Sequence, residues 1–128
     1  MRLLLDTHAL LWWILDSKDL SRKARSAITS FNNQIHVSAA TAWEIATKSR
    51  LGKLPAADPF VHSISESLDK LGFHELAITV DHAQRAGLLP GHHRDPFDRL
   101  LIAQAQAENL VLVSNEKLFD DYRIQRLW

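Results

Sequence analysis

The run "RLLL" at residues 2–5 constrains this chain's fold more than any other feature. Its leucines follow one another without alternation, and successive side chains of a strand point to opposite faces, so such a strand must be buried on both. A sheet containing it needs cover on two sides. The next segments supply that cover. Asp6-Thr7 ends the run, a helix-like stretch continues to about residue 16, and residues 21–31 read as an amphipathic helix capped by Ser21. A turn at Asn32-Asn33 leads to a second strand, "QIHVS", and "AATAWEIATKSRL" returns to helical spacing until Gly52 and Pro55 stop it. Beyond lie an expected helix over 58–70, a third strand "LAIT" at 76–79, and a short helix closed by Pro90-Gly91. A helix over 96–107, a strand "LVLVS" at 110–114, a short helix near 116–121 and a last apolar segment complete the chain.

Strands alternating with helices pair in parallel through right-handed crossovers. The expected class is therefore α/β, a three-layer α/β/α sandwich around a mainly parallel sheet of about five strands. With 128 residues, one domain over 1–128 suffices, burying roughly two thirds of its unfolded surface. Hydrophobic residues at 46% and charged residues at 23% are those of a globular chain. Fifteen basic and fifteen acidic residues cancel, so any polyanion site must be local. Cysteine is absent, which removes disulfides and thiolate-bound zinc. The longest apolar run, "ALLWWIL" at 9–15, is too short to span a bilayer, and the chain opens with no signal-peptide pattern. A cytoplasmic protein without a membrane partner is expected.

In open parallel sheets, ligands sit at the carboxyl ends of the strands. The polar residues at those exits and at helix entrances are Asp6, Ser38, Thr79, Asp98 and Ser114-Asn115-Glu116. Each acid alone has a plain explanation. Asp6 suits a helix N-cap, with Thr7 as an alternative, and Asp98 and Glu116 suit first-turn dipole charges. Glu44 lies among apolar helix neighbours and pairs naturally with Lys48 four residues on. What these explanations omit is why several acids fall at one sheet edge. Carboxylates that converge repel one another, and a hard cation such as Mg²⁺ or Mn²⁺ relieves that repulsion. Asp95 and Asp98 straddle Pro96 at the start of one helix; Asp95 with proline at N1 makes a good cap, which leaves Asp98 spare.

Four blocks, "LLLDTHALLWW", "SAATAWEIATKSRLGKL", "HRDPFDRLLIAQA" and "LVSNEKLF", together cover nearly the whole chain. In order and spacing they resemble the motifs of the PIN-domain family, and within it the VapC toxins of bacterial type II toxin-antitoxin systems. The resemblance implies a PIN-like fold, Mg²⁺-dependent endoribonuclease activity on an RNA substrate, and a cognate VapB-type antitoxin. By motif position it implies Asp6, Glu44 and Asp98 as catalytic metal ligands. The fourth position usually reads Thr-x-Asp; here it reads Ser114-Asn115-Glu116, so the resemblance implies Glu116 as the fourth catalytic metal ligand, with a side chain one methylene longer than the pattern. Asp95, Thr7 and Ser114 are expected to support the ligands. Lys48, Arg99 and Arg94 are expected to meet RNA phosphates. The histidines lack zinc spacing, and the adjacent pair His92-His93 suits a loop.

Two other readings stand beside the nuclease. One is a PIN-fold binding protein with weakened catalysis, suggested by Glu116. The other is a receiver-like phosphoacceptor domain, which expects an acid pair after the first strand and a lysine at a later strand end, and this chain shows neither. Finally, seven consecutive apolar residues follow Asp6-Thr7-His8, so their hydrophobic surface wraps further round a helix than a sheet can cover. Trp12 and Trp13 are expected to anchor a homodimer and the antitoxin near that helix.

Overall fold

The computed structural model describes residues 1–91 and 93–128; His92, expected in a loop, lies outside them. Strand β1, Arg2–Leu5, runs through the middle of a five-stranded sheet. It pairs in parallel with β2, Gln34–Ser38, on one side and β4, Val111–Val113, on the other. Strand β3, His74–Leu76, extends the sheet beyond β2, and β5, Arg126–Leu127, extends it beyond β4, giving the order β3-β2-β1-β4-β5. All pairings are parallel. Leu3, Leu4 and Leu5 are fully buried. Leu3 and Leu5 pack with Ala9, Leu10, Ala24, Ile28 and Ile45 on one face, while Leu4 packs with Leu101, Ile102 and Leu112 on the other. The double burial that "RLLL" demands is thus supplied by two separate apolar clusters.

Helices α1 (Thr7–Ile14), α2 (Arg22–Thr29) and α3 (Ala39–Arg50) cover the first face. Each starts on a side-chain cap: Asp6, Ser21 and Ser38 accept hydrogen bonds from backbone N–H groups of the first turn. Helix α7, Pro96–Glu108, covers the second face and packs against α6, Val80–Leu88. Thr79 and His82 close a reciprocal capping box at the start of α6. No helix among the described residues is long and apolar enough to cross a membrane.

Three expectations change. The helix over 58–70 is broken into α4, Asp58–Val61, and α5, Ile64–Leu71. Between them Ser63 leaves the helical region at φ −146°, and its hydroxyl donates to the Pro59 carbonyl, the local competition by which serine interrupts a helix. The third strand lies at 74–76 rather than 76–79, with His74, Glu75 and Leu76 opposite His36, Val37 and Ser38. It is an edge strand, so it needs no continuous apolar run. Farther on, the Ala77 carbonyl is taken by the Gln104 side chain, and Thr79 is committed to its cap. Residues 117–121 form a 3₁₀ turn, not an α-helix.

The flank of α1 is partly covered from within the chain. Trp12 lies between His8 and Trp128, with ring centroids 5.4 and 5.7 Å away, and Trp13 faces Phe73 at 6.5 Å. Both tryptophans remain half-buried.

Candidate active site

Asp6 is the first residue past β1, where the chain turns from strand to helix at the carboxyl end of the sheet. Its Oδ1 accepts from the Ala9 N–H at 2.7 Å, so the residue does cap α1. It is only 5% exposed, and burial pushes its carboxyl above the ordinary range, against the opposing hydrogen bonds from Ser114 and Ala9. Ser114, fully buried at the end of β4, also accepts from the Glu116 N–H at 3.0 Å, so it links Asp6 to the turn that follows. The neighbouring β1 and β4 bring these residues together although they are far apart in sequence.

Glu44 enters from α3 and is 6% exposed. Thr7 donates to its Oε1 and Lys48 to its Oε2, each at 2.6 Å. Both oxygens of this buried carboxylate therefore have partners, as burial requires. The pair with Lys48 four residues on, expected from helical spacing, is present, so Lys48 balances the Glu44 charge directly.

At the start of α7 the two aspartates separate their roles. Asp95 accepts from the Phe97 and Asp98 N–H groups at 2.9 and 3.2 Å and so caps the helix. Asp98, relieved of that task, accepts from His93 Nε2 at 2.8 Å. Its carboxyl is pushed up to about 6, first by burial and then by the nearby Asp95 charge. His93 was not singled out from the sequence; its position five residues before Asp98 across a proline was the available sign.

Asp6, Glu44, Asp98 and Glu116 all line one pocket of about 170 Å³, together with Thr7, His8, Lys48, Asp95 and Phe119. Glu116 is the loosest of the acids: it is exposed, and its side chain makes no hydrogen bond among the described residues. Among those residues no three acids or histidines stand close enough to grip one ion in their present partnerships. Arg99, expected to meet phosphate, is employed elsewhere. Its guanidinium donates to the carbonyls of Ala86, Leu89 and His93, which ties the end of α6 and the following loop to α7. Planar, multiply donating arginine suits that task better than lysine. Arg94 is exposed.

The PIN domain family model matches residues 3–125. The chain belongs to the PIN domain family. It is 38% identical over 68 residues to Ribonuclease VapC16 of Mycobacterium tuberculosis, a match covering 53% of this chain and 47% of that protein. The match therefore spans about half the length of that relative. Solved structures share the fold at lower identity. FitAcB from Neisseria gonorrhoeae is similar with a TM-score of 0.71 and 17% identity, covering 98% of this chain and 96% of that one. VapBC2 from Rickettsia felis, bound to a DNA fragment from its promoter, gives 0.67 and 17%, covering 98% and 97%.

Proposed function

We propose that this PIN protein is a metal-dependent endoribonuclease, the toxin of a VapBC-type toxin-antitoxin pair. The observation that carries the proposal is the convergence of Asp6, Glu44, Asp98 and Glu116 on one small pocket, with Asp6 and Asp98 both held above the ordinary carboxyl range. Buried acids that resist ionisation near one another are poised for a positive charge. The donor set is all oxygen, which fits Mg²⁺, or Mn²⁺, and not a soft metal. Asp6, Glu44 and Asp98 would hold the ion, with Glu116 contributing least firmly. When bound, such an ion supplies an activated water and neutralises charge on the phosphate under attack. Thr7 and Ser114 orient Glu44 and Asp6, Asp95 sets the direction of the helix that presents Asp98, and Lys48, which lines the pocket, offers positive charge there, with the exposed Arg94 a further phosphate contact.

Similarity to Ribonuclease VapC16 and to VapBC complexes supports RNA as substrate and a VapB-type antitoxin as partner. The half-exposed Trp12 and Trp13 supply the apolar contact for that antitoxin or for a second copy of the chain. The test is purified full-length protein with a panel of cellular RNAs, with and without Mg²⁺. Cleavage that requires the ion, falls at least a hundredfold in Glu44→Gln, and falls less in Glu116→Ala is expected. RNA cut equally well in chelator would overturn the metal site, and no cutting under any divalent ion would overturn the enzyme.

A further inference from the structure

Next to the acidic pocket lies a larger cleft of about 620 Å³, lined by Pro90, Gly91, His93, Leu118, Asp121 and Tyr122. Its size falls in the range of small-molecule clefts, ~300–1,000 Å³. Two features join it to the proposed reaction centre. His93, on its wall, holds Asp98, and the His93 ring meets Phe119 edge-on at 6.0 Å, Phe119 itself lining the acidic pocket. The 3₁₀ turn Lys117–Asp121, which begins after Glu116, carries Leu118 and Asp121 to the cleft and Phe119 to the acids.

The walls suit a flat ring. Pro90, Leu118 and the Tyr122 ring are apolar surfaces, and Gly91 lets the loop come close to the Tyr122 ring. A Cβ on Gly91 would stand 3.0 Å from the Tyr122 hydroxyl, and the glycine's φ of +102° disfavours any other residue there. Against these walls stands a single carboxylate. Asp121 is exposed and makes no hydrogen bond or ion pair among the described residues. An aromatic face beside a free acceptor is how proteins hold unstacked RNA bases, by stacking and by hydrogen bonds to the base edge. The four bases meet a carboxylate differently. Guanine offers N1–H and N2–H side by side, matching both oxygens of the carboxylate. Adenine and cytosine offer one amino group beside a ring nitrogen acceptor, and uracil offers one N–H between two carbonyls that repel the acid.

Resting on the ribonuclease reading, we infer that this cleft is the subsite for the base next to the scissile phosphate, and that Tyr122 and Asp121 select guanine there. Two measurements on the full-length chain test this. In chelator, binding of the four nucleoside 5′-monophosphates is compared by calorimetry. With Mg²⁺, cut sites are mapped on RNA of mixed sequence. GMP is expected to bind at least tenfold tighter than UMP, and cut sites to be enriched in guanine at one flanking position. Asp121→Asn should lower that preference at least tenfold, Tyr122→Leu should weaken all four nucleotides, and Leu118→Trp, at the exposed rim, should block them. Equal binding of the four, or cutting with no base bias, overturns the subsite while leaving the nuclease in place. Tight GMP binding without cleavage under any divalent ion supports the guanine site and overturns the nuclease. If Tyr122→Leu instead releases antitoxin and leaves nucleotide binding unchanged, the cleft is a protein contact and the inference fails.

Discussion

Helix α1 opens on one acid and helix α7 on two, and the two helix starts divide the same labour differently. Asp6 must both cap α1 through Ala9 and face the pocket. At α7, Asp95 takes the backbone N–H groups, and Asp98 keeps its carboxylate for the pocket and His93. A second acid thus separates the stability of a helix from the chemistry at its mouth. At α1 a change of side chain disturbs both together; at α7 the two can be changed one at a time.

The largest expected effect is that of Asp98→Asn, which should cut metal-dependent RNA cleavage at least a hundredfold, about 2.7 kcal/mol of transition-state stabilisation. It should also make the metal-free protein more stable. The folded Asp98 carboxyl, at about 6, lies above its ordinary value of 3.8, so its contribution to stability is full below about pH 4 and is lost as pH rises through 6. Asparagine carries no such loss. With a quarter of the side chain exposed, the gain at pH 7 is on the order of 1–2 kcal/mol and should vanish near pH 4, as urea unfolding at the two pH values would show. Added Mg²⁺ should raise the midpoint of the wild type more than that of the variant. A variant less stable at pH 7 than at pH 4, relative to wild type, would show that Asp98 is not held against its charge.

At α1 the same loss of activity should come with a stability cost that depends on the replacement. Asp6→Asn retains a capping oxygen, whereas Asp6→Ala removes it and should cost about 1 kcal/mol more. If alanine and asparagine unfold at the same denaturant concentration, the Ala9 bond contributes little and Asp6 serves the pocket alone.

The smallest effect belongs to Asp95→Ala. It should lower stability by about 0.5–1 kcal/mol through the lost cap, while cleavage falls only a few-fold. A hundredfold loss of cleavage at Asp95 would erase the division of labour between the two α7 acids.

Local physics left its record in the sequence. Unalternating leucines at 3–5 required burial on both faces, and the alternation of strand and helix required parallel pairing; both hold in the five-stranded sheet. The strand exits and helix mouths also marked Asp6, Asp98 and the Ser114–Glu116 turn in advance, since cap chemistry and strand ends are read from neighbours in the chain. What spacing could not decide was which side chains meet across the fold. Thr7 holds Glu44 because α1 and α3 pack on the same face, whereas the Lys48 bond to Glu44 is the i,i+4 pair that helical spacing had already given; His93 reaches Asp98 from outside the helix that carries it. Arg99 sits one residue from Asp98, yet its reach is spent on three carbonyls at the end of α6, a partner set created only by the packing of α6 on α7. The third strand was displaced by two residues for the same reason: at a sheet edge, pairing with β2 and the Gln104 bond to Ala77 outweigh the apolar pattern of the segment itself. Periodicity reports which face a residue shows; the partner on that face is chosen by the tertiary fold.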